Sequence, residues 1–294
     1  MNIYSKIALI LTLMLLNGVA YSDTTQIKVR VGGNNLTIKS PSGFHEISNL
    51  SPSTRKLLEK FVPESNRLLA VLVSEEDLGR ILKDESVKLE RYLLLETLKE
   101  DEDIDISPDF FRKFSKKIEE NHTTLFNKYI AETDHALDVA SIAISGYLGI
   151  DIKMGLKEQI PLGIYVNTNN SIGFASLANT ETHSEAGKLN EVIVGGTNSI
   201  YVKNRLLFGY VYSTFNYQSD IDWVREKSKE WVKVILETNP NLKSVENKPK
   251  SKTNIEQDEY VGRGFGLISI FLLIGFISLI VLIFRIMSRL FRKK

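Results

Sequence analysis

Between Phe265 and Phe284 lie twenty consecutive residues without a charge, and sixteen of them are Leu, Ile, Phe or Val. As a helix rising 1.5 Å per residue this stretch is about 30 Å long, the thickness of a bilayer's hydrocarbon core. The apolar side chains favour insertion by on the order of 5 to 10 kcal/mol, slightly offset by Gly266, Ser269, Gly275 and Ser278. A core helix of a soluble domain is rarely apolar on every face over such a length. The expectation is therefore a transmembrane helix over 263–285, contacting lipid through Phe265 to Phe284.

The opposite end supports the same layout. Lys6 precedes an apolar run from Ile7 to Leu16 interrupted only by Thr12, and small residues follow. This pattern predicts a signal peptide over 1–22. Ala20 and Ser22 suit cleavage before Asp23, Gly18 and Ala20 suit cleavage after Ala20, and retention as an N-terminal anchor is the alternative. From Asp23 to Gly262 there are 36 acidic against 30 basic residues, a net charge of −6, whereas Arg285, Arg289, Arg292, Lys293 and Lys294 make the tail basic. Positive charge marks the cytoplasmic side. The tail, 286–294, is thus expected in the cytoplasm and the 23–240 domain outside it.

The chain has no cysteine, which excludes disulfides, thiolate metal sites and a cysteine nucleophile. With a single span, this predicts a bacterial inner-membrane protein facing the periplasm. An exported domain of this size must then rest on its apolar core. Three N-x-Ser/Thr triplets begin at Asn35, Asn121 and Asn169, and chance accounts for them in an Asn-rich chain.

Within 23–240, alternation predicts a β-hairpin over Gln26 to Lys39 turning at Gly32-Gly33-Asn34, then a short extended piece from Phe44 to Ile47. Ser51 and Pro52 start a helix running to Phe61, Leu68 to Val73 is a buried strand, Ser74 to Leu82 an acidic helix, and Leu89 to Leu98 a strand. Ser107-Pro108-Asp109 opens a long helix on which Phe111, Phe114, Ile118, Leu125 and Tyr129 share a face, with a bend expected near Asn121 to Thr124 and an end near Gly146 to Gly149. An antiparallel sheet is expected next, from strands Ile150–Leu156, Leu162–Val166, Ser171–Ala178, Glu191–Val194, Ser199–Lys203 and Leu206–Phe215, with Gly195-Gly196 as a turn. Ser219 and Asp222 start a last helix with Ile221, Val224, Ser228, Trp231 and Ile235 on one stripe. The polar run 241–262 reads as a flexible tether reaching roughly 25 Å. The fold class is α+β, an antiparallel β-sheet flanked by helices.

Three segments, Ser40-Pro41-Ser42-Gly43-Phe44, Val62-Pro63-Glu64-Ser65-Asn66-Arg67-Leu68-Leu69, and the hairpin Ile200 to Phe215 with its Lys203-Asn204-Arg205 turn, resemble a loose group of exported, membrane-anchored bacterial proteins. The order of strands and helices is similar to the Mog1/PsbP-like α/β/α sandwich over most of 23–239. The resemblance implies a binding or assembly role and transfers no site residues.

The polar constellations are weak. Asp101, Asp103, Asp105 and Asp109 imitate a calcium loop, but Ile106 and Arg112 stand where an EF-hand needs Gly and Glu. His135 and Asp138 lie one helical turn apart without a third ligand, and His45, His122 and His183 are scattered. Ser53 and Lys56 match a Ser-x-x-Lys spacing whose companion motifs are missing, Lys252-Thr253-Asn254 being the nearest approximation. Trp223 and Trp231 form either core or an exposed aromatic strip. The acidic domain disfavours nucleic acid. No catalytic, cofactor-binding or metal residue is assigned and no cofactor is expected. The expected function is a membrane-tethered periplasmic binding or scaffolding domain acting through a membrane or periplasmic protein partner or the envelope. The alternatives are a small-molecule sensor reporting to a membrane partner and a cell-envelope hydrolase.

Overall fold

A computed structural model describes residues 25–83, 89–149, 151–185 and 187–240. The expected signal peptide, tether, span and basic tail lie outside the described residues, and no described helix is long and apolar enough to cross a membrane. The chain opens with a hairpin of β1 (Gln26–Val31) and β2 (Asn34–Lys39) turning at Gly32-Gly33, both at positive φ. Next come β3 (Phe44–Glu46), α1 (Pro52–Glu59), β4 (Asn66–Ser74), α2 (Glu75–Leu82) and β5 (Arg91–Leu98). Helix α3 (Pro108–Leu148) leads to β6 (Ile152–Asn167), β7 (Ser171–Ser184), β8 (Gly187–Val202) and β9 (Arg205–Thr214), and α4 (Gln218–Thr238) closes the domain. Strands β3 to β9 form a seven-stranded antiparallel sheet in the order β3-β4-β5-β9-β8-β7-β6.

The sheet is covered on both faces. Leu57, Leu58 and Phe61 beside α1, Ile81 of α2 and Phe111, Phe114, Ile118 and Ile144 of α3 pack on one side. On the other, Ile221, Val224, Trp231, Val232 and Ile235 of α4 pack with Val31, Leu36 and Ile38 of the hairpin. The α4 stripe read from the sequence is buried as expected, with Trp231 fully enclosed.

Helix α3 is continuous for 41 residues, about 60 Å. Ser107 Oγ accepts the Phe110 N–H at its start, and Gly149 in the left-handed conformation ends it. Its C-terminal half fastens to the sheet edge through side chains. The N–H groups of Ile152, Met154 and Leu156 donate to Ser145 Oγ (3.0 Å), Ser141 Oγ (2.9 Å) and Asp134 Oδ1 (3.2 Å). Acceptors at helical spacings of four and seven thus meet alternate edge amides of β6, which an open sheet would offer to another chain.

Three sequence expectations are corrected. Ile150–Leu156 and Leu162–Val166 are one strand, β6, whose ladder shifts register between Leu156 and Glu158, Pro161 and Gly163, and Ile164 and Val166. Pro161 is accommodated because β6 is an edge strand. Glu191–Val194 and Ser199–Lys203 are likewise one strand, β8, and Gly195-Gly196 is no turn. A Cβ on Gly196 would lie 2.7 Å from Ser228 Oγ and 2.8 Å from Val224 Cγ1, so the glycine lets α4 approach the sheet. Helix α4 is capped two residues early: Asp220, not Asp222, turns back, its Oδ2 accepting the Asn216 and Tyr217 N–H groups at 2.9 Å.

Candidate contact surface on helix α3

Several of the residues singled out by spacing have partners within the domain. Asp105 pairs with Arg205 (2.9 Å), whose guanidinium also donates to the carbonyls of Ile104 and Gly32, tying the acidic loop to both hairpins. Asp109 pairs with Arg112 within the first turn of α3. His135 and Asp138 are both exposed, and no group of three His, Asp or Glu among the described residues could hold a metal ion. Ser53 and Lys56 are exposed on α1, Ser53 Oγ lying 2.8 Å from the capping Ser51 Oγ. The tryptophans divide: Trp231 is core, while Trp223 is half-buried with the Arg91 guanidinium 4.4 Å from its ring centroid. Lys252-Thr253-Asn254 lies outside the described residues.

The last third of α3 carries a feature that spacing arguments passed over. Leu137, Ala140, Ser141 and Ile144 face the sheet and are buried. The opposite side is also apolar, with Val139 47%, Ile142 75% and Tyr147 44% exposed. Ala143 and Gly146 fall between them at the three- and four-residue spacings of one helical face. From Val139 to Gly149 there is no charged residue. A helix apolar all round is normally enclosed on all sides, and here one side is left to solvent. The signal available in the sequence was that uncharged run, which is too short to span a membrane and too apolar for a solvated face.

The sheet carries a second feature. Glu96, in the middle of β5 and only 2% exposed, points to the α3 side with Tyr92, Leu94 and Leu98. Its Oε2 accepts from the buried Asn66 amide at 3.1 Å. Burial pushes its carboxyl up to about 8, the Asn66 hydrogen bond opposing this in part, and no cation contributes. Tyr210 and Tyr212 on β9 flank it, and Tyr212 stacks on Tyr92 with ring centroids 4.9 Å apart. The contrast with Glu181 is instructive. That carboxylate, on β7 between Lys188 of β8 (2.7 Å) and Lys157 of β6 (3.0 Å), is held down at about 2 chiefly by those two ammonium groups.

No family model matches the chain, and no curated protein matches it. Among solved structures it is similar to the Saccharomyces cerevisiae Ran-binding protein Mog1p, with 12% identity and a TM-score of 0.32 over 71% of this chain and 94% of that one. A Mog1 point mutant is similar at 13% identity and a TM-score of 0.33, over 73% of this chain and 94% of that one. The name coincides with the Mog1/PsbP-like resemblance noted from the order of elements.

Proposed function

We propose that 23–240 is a non-enzymatic binding or scaffolding domain, tethered to a bacterial inner membrane by Phe265 to Phe284, facing the periplasm and leaving its basic tail in the cytoplasm. The observation that supports it is the exposed apolar face Val139-Ile142-Tyr147 on α3. Burying such a face against a protein partner removes apolar surface from water, worth about 25 cal/mol per Å². The partner's surface is accordingly apolar, and its rim complements the carboxylate of the exposed Asp138, one helical turn before Ile142. The test uses full-length protein in native membranes with a photo-crosslinking residue at Val139 or, as control, at exposed Lys116. A discrete adduct from position 139 alone, lost on Ile142→Arg, is the expected result. Equal adducts from both positions, or none from 139, would overturn the proposal.

A further inference from the structure

The apolar strip on the last third of α3 has a spacing of its own. His135, Val139, Ile142, Gly146 and the capping Gly149 are all exposed and follow one another at intervals of four, three, four and three residues. This is the spacing of a seam between two helices lying side by side. The sheet-facing positions Leu137, Ala140, Ser141 and Ile144 form a separate stripe that is already buried. Helix α3 thus carries one stripe for its own sheet and a second that fits another helix.

The order of side chains along the seam selects that helix. From His135 to Gly146 they run large, branched, branched and none, a series that is complementary to itself when reversed. Antiparallel pairing with a second copy, about a two-fold axis between Val139 and Ile142, sets Val139 against the partner's Ile142 and His135 against the bare backbone of the partner's Gly146, and symmetry repeats both contacts. His135 then lies beside the last turn of the partner helix, the negative end of its dipole, where histidine is favoured. The two Asp138 carboxylates are offset by about 7.5 Å along the helix axis. Parallel pairing in register would instead oppose His135 with His135 and Asp138 with Asp138, and leave a gap between the two Gly146 positions.

The contact is small. Fifteen residues make a face roughly 22 Å long and 10 Å wide, a few hundred Å² per copy against the about 800 Å² of a free-standing interface. The remaining chain offsets the difference. Residues 241–294 contain the uncharged stretch Phe265 to Phe284, and two copies held by it on one membrane meet at an effective concentration on the order of millimolar.

We propose that the partner of the α3 strip is a second copy of this chain, paired antiparallel through His135, Val139, Ile142 and Gly146 while both copies are anchored in one membrane. The assignment rests on the reading of the strip as a contact surface and of Phe265 to Phe284 as the anchor.

Because the chain has no cysteine of its own, single substitutions read the register directly. His135→Cys falls at an exposed position, and a Cβ at Gly146 meets no atom within 4 Å, so Gly146→Cys is accommodated as well. Full-length copies carrying one substitution each and different tags are co-expressed and oxidised in native membranes with copper phenanthroline. A disulfide-linked dimer bearing both tags is expected from the mixture, and none from either variant alone, since like positions lie about 16 Å apart along the axis, beyond the reach of a disulfide. Ile142→Arg in both copies should abolish the mixed dimer. Dimers from either variant alone, or no mixed dimer, would overturn the proposal. Its failure is separable from that of the underlying reading. A photo-adduct from position 139 to another protein, without the mixed disulfide, overturns self-pairing and leaves the strip a docking surface, whereas no adduct from 139 removes both.

Discussion

Single residues in this domain are constrained chiefly by what approaches their backbone. Gly32 adopts φ +50°, and a Cβ there would overlap the Glu102 carbonyl oxygen and lie 2.6 Å from Arg205 Nε. Arg205 donates to the Gly32 carbonyl and pairs with Asp105, so this glycine joins the first hairpin to the β8–β9 turn and the acidic loop. Gly32→Ala combines left-handed strain with a clash and should cost about 3 kcal/mol, read as a lower urea midpoint with an unchanged slope. The Gly32-Gly33 turn was legible in the sequence because a tight hairpin needs positive φ. The role of Gly196 was not, since the reason for that glycine is the side chain of Ser228, 32 positions further on. Glu96 escaped notice for a similar reason: one acid within Arg91–Leu98 reads as an outward-facing position until both faces of the sheet are found covered.

At the level of elements, the unusual pairing is a helix that hydrogen-bonds to a strand edge. Edge strands invite association with other chains, and β6 is protected by Pro161, by its register shifts and by hydroxyls and a carboxylate delivered by α3. Replacing Ser141 and Ser145 together with Ala leaves the Ile152 and Met154 N–H groups without these acceptors, at about 1 to 3 kcal/mol each. The expected result is accelerated hydrogen exchange at those two amides and, by size-exclusion chromatography, a concentration-dependent shift to larger species. Faster exchange without association would show the seam to serve stability alone. The ends of α3 were readable because capping acts within one turn: Ser107, Pro108 and Gly149 stand where the structure puts the termini. The apolar outer face at Val139 and Ile142 was harder to read, because helical periodicity says that two faces are apolar without saying which one the sheet takes.

For the whole molecule, the proposed tether and span set the setting in which the α3 surface would act. Full-length protein should remain in the membrane pellet after alkaline carbonate, and a chain ended at Gly262 should be released; a reporter after Lys294 should be cytosolic. Release of the full-length protein, or an external reporter, would remove the basis for the arrangement. By itself the sequence determined the local elements, the α+β class and the two-sided pattern of the core, because caps, turns and hydrophobic periodicity depend on neighbours a few residues away. Only the tertiary structure decided that four expected strands are two, that α3 closes the β6 edge, and that Glu96 is buried while Ile142 is exposed. Strand length and burial are set by partners supplied from distant parts of the chain, and no short-range pattern encodes which partner arrives.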